Sequence, residues 1–224
     1  MDAYRWLVYA HITAGSIALL TFWTAAIARK GSPLHVRVGK VYLGAMQAVV
    51  ASAVPMAAVF FARGKPGIGT FLLYLVVLSG TSIWLARRAI QRKRDLHGYH
   101  DRRYRQVGWA NLGAGAASLA VGLKLGSTLL GGFSVVGIAV GIGMLRQARK
   151  LPEARNWWLK EHYGAMLGNG VATHVAFLGI GMRNVIASFD QAWLQLVPWF
   201  GPLAVALVVG VMLDRRYGAR AVAG

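Results

Sequence analysis

The stretch WWLKEHYGAMLGNGVATHVAFLGIGMR, residues 157–183, reads as one membrane-spanning helix carrying two histidines, His162 near one end and His174 well inside. After Lys160 and Glu161 no Asp, Glu, Lys or Arg appears until Arg183, a run long enough to cross a bilayer. Ionisable side chains at membrane depth are costly and face a bundle interior or a cavity. Each histidine is therefore a candidate functional group.

The rest of the chain has the same character. Its 224 residues are 56% hydrophobic and 14% charged, with mean hydropathy +0.48, whereas a soluble domain carries about a quarter charged residues. Seven spans can be drawn, at 4–28, 38–62, 68–86, 106–130, 132–148, 157–182 and 193–213. The expected fold is an all-α polytopic bundle, a single transmembrane domain over residues 1–224. The start, MDAYRW, lacks the basic n-region of a signal peptide, so the first hydrophobic run should be retained.

Net charge is +18, and the basic residues sit in short segments between spans. There they set topology and meet anionic lipid rather than nucleic acid. Arg29, Lys30, Arg37 and Lys40 follow span one, and Arg87, Arg88, Arg92, Lys93, Arg94, Arg102, Arg103 and Arg105 follow span three. The opposite side holds only Arg5, Arg63, Lys65 and Arg183. Positive-inside then predicts the N-terminus outside, the C-terminus in the cytoplasm, and a multi-pass protein of a bacterial inner (cytoplasmic) membrane. With no cysteine, disulfides, thiolate metal sites and cysteine nucleophiles are excluded.

Depth pairs the histidines. At about 1.5 Å per residue, His11 lies about 10 Å in from the outer start of span one, and His174 about 12 Å from the outer end of span six. Each has a glycine one turn away, Gly15 and Gly170, which leaves room for a flat ligand. Imidazole is an axial ligand of haem iron, so the expectation is a haem b clamped by His11 and His174, with Lys124 or Arg183 near its propionates. The alternatives are another metal at the same pair and a buried histidine satisfied by a neighbouring carbonyl or hydroxyl.

A second, inner layer holds His35, Arg37, His162 and Met166. Ser32-Pro33 marks a helix start there, suited to an anion such as a lipid phosphate or a propionate. His162 and Met166 are one turn apart and can share a ligand. The twelve-residue spacing of His162 and His174 sets them about 120° apart around the helix, which argues against two haems on one face. His97 and His100, in HGYHDRRYR, are expected in solvent.

Other readings stay open. No Asp or Glu lies deep in any span, which weakens proton-coupled transport and membrane hydrolysis. A transporter or channel would line its path with Gln47, Asn111, Ser118 and Asn169. A zinc or copper enzyme would add a third ligand to the histidines. The glycine pairs Gly122/Gly126 and Gly137/Gly141 suit close helix packing or contact between copies of the chain, and Gly131-Gly132 suits a tight hairpin.

The stretch His35-Val-Arg37-Val-Gly39-Lys40-Val-Tyr42, with Met46 a turn later, resembles the H-x-R-x-G-K-x-Y…M signature of a bacterial family of predicted membrane proteins that carries a domain of unknown function. His11-x-x-x-Gly15 and the run Glu161-His162…Met166…His174 share in it. The resemblance implies a polytopic membrane protein and brings no activity with it. The histidine layers are similar in kind to membrane b-type cytochromes, which would imply electron transfer, with a quinone or another redox partner.

Overall fold

A computed structural model describes residues 2–152, 154–182 and 194–222, with backbone only for 2 and 218–222. It is built from helices: α1 (Asp2–Ile27), α2 (Pro33–Ala62), α3 (Pro66–Gln91), a single turn α4 (Leu96–Tyr99), α5 (Arg102–Leu125), α6 (Thr128–Arg149), α7 (Trp157–Val175) and α8 (Val197–Val222). A π-helix, Ala176–Gly181, continues α7. Among the described residues five segments are long and apolar enough to cross a membrane: α1, α2, α3, α6 and the stretch Leu194–Tyr217 that contains most of α8. α5 and α7 have the length but carry more polar residues.

The helix boundaries follow from local chemistry. The Ser32 hydroxyl accepts the His35 backbone N–H at 3.2 Å and Pro33 opens α2. Asp101 caps α5 through the Tyr104 N–H at 3.0 Å. The break between α5 and α6 falls at Gly126, whose φ of 61° is left-handed, followed by Ser127 as the cap of α6. This corrects the expectation of a hairpin at Gly131-Gly132. Both glycines lie inside α6, and a Cβ on Gly122 would come within 2.8 Å of the Gly131 nitrogen.

α1, α2, α3 and α7 form a closed ring, each packed on the next, and the α5–α6 hairpin leans on α3 while α8 leans on α7. The core of the ring gathers Ala18, Tyr42, Met46, Ile83, Ala86 and Ala165. Outward, α1 exposes Trp6, Ile12, Leu20 and Ile27, and α8 exposes Val205, Leu207 and Met212. Apolar faces of that extent belong against lipid.

On α5, Gly108, Asn111, Gly115, Ser118 and Gly122 recur at heptad spacing and are all buried. They meet Gly137 and Gly141 of α6, so these faces are occupied within the chain. A Cβ on Gly141 would lie 2.7 Å from both the Gly108 oxygen and the Leu112 nitrogen, backbone atoms that cannot turn aside. A Gly141→Val variant is expected to lose about 1–3 kcal/mol by overpacking, read as a lowered thermal midpoint in detergent. Gly143→Ala, where nothing lies within 4 Å, is expected to leave the midpoint in place or raise it.

Candidate functional site

Two helical stripes face each other across the ring. On α2, Tyr42 and Met46 stand seven and eleven residues after His35; on α7, Asn169 and Thr173 stand at the same offsets from His162. Both offsets return to within about 20° of the starting direction. The stripes meet where the Thr173 hydroxyl donates to the Asn169 carbonyl at 2.9 Å and so accepts from the Tyr42 hydroxyl at 3.2 Å. Met46 Sδ lies 3.4 Å from the same oxygen. The Asn169 amide is fully buried, and neither its oxygen nor its nitrogen has a partner among the described residues.

At the end of the ring where Arg29, Lys30, Arg37, Lys40, Arg87 and Arg88 collect, here termed the basic end, the stripes close on His35 and His162. His35 Nδ1 lies 3.0 Å from the Ala25 carbonyl, and His162 Nδ1 lies 3.0 Å from the Ala86 carbonyl. A carbonyl only accepts, so each Nδ1 carries the proton and each Nε2 keeps its lone pair. Among the described residues neither Nε2 has a hydrogen-bond partner. Lys30, His35 and His162 all lie at this end of the ring. Lys30 Nζ also reaches the Ala25 and Ala26 carbonyls, at 3.0 and 2.6 Å, so Lys30 and His35 together cap the C-terminus of α1. Met166 is half-buried against the core, and Arg37 is exposed.

His11 and His174 do not meet. The Trp23 indole donates to His174 Nε2 at 3.0 Å, while His174 Nδ1 donates to the Gly170 carbonyl at 2.7 Å. Both nitrogens are used, and the ring packs edge-on against Phe22 and Trp23. His11 Nδ1 donates to the Ser52 hydroxyl at 2.8 Å, the hydroxyl itself donating to the Ala48 carbonyl at 2.7 Å. Along α1, His11 and Trp23 are separated by about 18 Å. The expected common layer fails because the depths were counted from span ends assumed level, while α7 crosses α1 beside Trp23.

The clearance expected at Gly170 is also filled. The Phe22 ring sits 2.6 Å from where a Cβ would stand. Gly15 does face open space. Lys124 is exposed at the end of α5, a helix packed on α6 and α3 rather than on α1, and Arg183 lies outside the described residues. His174 instead borders a groove of about 680 Å³ on the outer surface between α1 and α7, lined by Leu20, Trp23, Thr24, Leu34 and Phe177.

The suggested transport residues do not share a path. Asn111 donates to Thr81 at 2.7 Å, Ser118 donates to the Leu130 carbonyl at 3.2 Å, and Gln47 accepts from Arg87 on the surface at 2.9 Å. Tyr42 and Thr173 were absent from the expected site, and Asn169 was named only as a transport residue. Their helical register with His35 and His162 is the signal that would have found them.

A polar cluster joins α3, α5, α6 and α7 through the α4 turn. Glu161 accepts from the Tyr99 hydroxyl and from the Gln147 amide, both at 2.8 Å, and Gln147 accepts from the Tyr104 hydroxyl at 2.7 Å. Arg88 pairs with Asp101 at 2.8 Å and donates to the Gly98 and Tyr99 carbonyls. For Asp101, burial works to raise the carboxyl, but the Tyr104 N–H and Arg88 outweigh it and hold it below the usual range.

His100, expected in solvent, is only 7% exposed, enclosed by Tyr99, Tyr104 and Trp157. The short turn α4 folds it inward, with Nδ1 at 2.9 Å from the Leu96 carbonyl. His97 stays exposed. Comparison with known proteins finds no matching family model, no matching curated protein and no matching solved structure.

Burial holds His100 below the ordinary histidine range, against the opposing pull of the Leu96 carbonyl and Glu161. The folded state therefore resists the proton that the unfolded chain takes up below about pH 6.5. Stability should be full above that pH and decline as the pH falls further. A His100→Phe variant is expected to show a shallower fall of thermal midpoint between about pH 7 and pH 5; a profile parallel to the wild type would remove His100 from the account.

Proposed function

We propose that this chain is a seven-span protein of a bacterial inner membrane, N-terminus outside and basic end in the cytoplasm, and that it binds haem b between His35 and His162 for electron transfer or haem handling. The orientation rests on the basic residues gathered at that end. α7 joins the five apolar segments as a span because its polar side chains, Asn169 and Thr173, turn into the ring rather than toward lipid. α5 joins them because its cations sit at its two ends, Arg102, Arg103 and Arg105 in the first turn and Lys124 in the last.

One observation carries the haem reading. Two imidazoles from different helices are each oriented by an Nδ1–H bond to a backbone carbonyl, with Nε2 left bare. This second hydrogen bond is the arrangement that fixes tautomer and ring direction in ligating histidines. Two such ligands complete the coordination of haem iron, whose other four positions belong to the porphyrin. A zinc ion wants three or four protein ligands, and no group of three or more His, Cys, Asp and Glu is found among the described residues. When bound, the haem would supply one-electron chemistry. The Ala25 and Ala86 carbonyls would keep both Nδ1 atoms protonated, and Lys30, which caps α1 beside His35, would supply a cation for a propionate.

Met166, one turn from His162 on the same face, favours a second reading, a cuprous ion held by two imidazoles and a thioether. The visible spectrum of the protein purified from haem-sufficient cells separates the two. A Soret band is expected, lost in His35→Ala and in His162→Ala and kept in His174→Ala. No Soret band, or one that survives both inner-layer substitutions, sinks the haem proposal. Stoichiometric copper without iron, lost in Met166→Leu, would establish the second reading in its place.

A further inference from the structure

Away from the histidine seam, α2 and α3 enclose an outer groove of about 450 Å³. Its deep part is apolar, walled by Val50, Val54, Gly80 and Ile83. Its mouth, toward the basic end, carries Gln47, Arg87 and Gln91. The two arginines at this level differ in kind. Arg88 is neutralised by Asp101 and stacks over Trp84, 4.8 Å from the ring centroid. Arg87 has no carboxylate partner among the described residues; its Nη2 donates to the neutral Gln47 oxygen at 2.9 Å. That bond leaves the remaining guanidinium N–H groups and the Gln47 amide hydrogens free to donate.

An uncompensated guanidinium bordering lipid is costly, and a fork of donors at a groove mouth fits the oxygens of a phosphate. The apolar channel below runs along the helices, from Arg87 toward Gly80, for about 10 Å. A Cβ added at Gly80 would meet nothing within 4 Å, so this glycine opens the channel floor rather than serving helix contact. A cationic, hydrogen-bonding mouth above an apolar slot has the shape of one lipid molecule.

We infer that the α2–α3 groove is a binding site for a phospholipid with a net negative headgroup, its phosphate on Arg87 and Gln47 and one acyl chain along Val50, Val54 and Gly80. This site is independent of the haem proposal. It needs only a membrane whose leaflet at the basic end contains anionic lipid.

The test is native mass spectrometry of the full chain titrated with phosphatidylglycerol or phosphatidylcholine. One phosphatidylglycerol is expected to bind in preference to phosphatidylcholine. Arg87→Gln should weaken it about fivefold, the worth of one cation near an anionic lipid, and Arg87→Lys should restore most of the binding. Gly80→Leu should fill the slot and weaken binding while leaving the thermal midpoint unchanged or raised, since leucine is the better helix former. Gly113→Leu, at an equally open glycine on α5, should not change it.

Equal affinity for the two lipids, or wild-type binding by Arg87→Gln, overturns the proposal. Displacement by inorganic phosphate alone, with Gly80→Leu indifferent, overturns it in favour of a free-anion site.

Discussion

Lipid offers no hydrogen-bond partner, and this constraint organises the ring of α1, α2, α3 and α7. Every polar side chain that α7 carries at depth must be answered from another helix or from its own backbone. Thr173 is answered by Tyr42, His162 by the Ala86 carbonyl, and His174 by Trp23 and Gly170. These bonds tie α7 to α2, α3 and α1 in turn. Asn169 is buried in the middle of the seam with neither amide atom answered among the described residues. An unmatched buried amide costs about 1–3 kcal/mol.

The same constraint acts at the basic end through backbone ends. α1 stops just before Arg29 and Lys30, and its last carbonyls are reached by Lys30 and His35. His35 thereby holds two helices together and has its ring direction set at once. Above it, Arg88 gathers the α4 turn, and Glu161 joins Tyr99 to Gln147. The chain's most basic loop turns Tyr99 and His100 inward against Tyr104 and Trp157, while Arg92, Lys93, Arg94 and His97 stay exposed.

Much of the helical frame was legible. Apolar runs marked the helices, and Ser32-Pro33 marked the start of α2. The hairpin at Gly126 was missed because any of several glycines satisfies a turn by composition, and only the crossing of α5 and α6 decides which are needed for packing. His100 was missed because a loop rich in arginine reads as solvated. Its burial depends on Tyr104 and Trp157, which come from two other helices.

The amino-acid sequence by itself determined that this is a helical membrane protein, and it singled out a small set of histidines, because apolarity and helical period are properties of single segments. Which histidines share a layer was decided only by the tertiary structure. Depth counted along one helix assumes level ends and no offset, whereas α7 begins beyond the ring, beside Tyr99, and reaches α1 at Trp23. That offset gives His174 to Trp23 and sets His162, like His35, at the basic end, the placement from which the proposed site is argued.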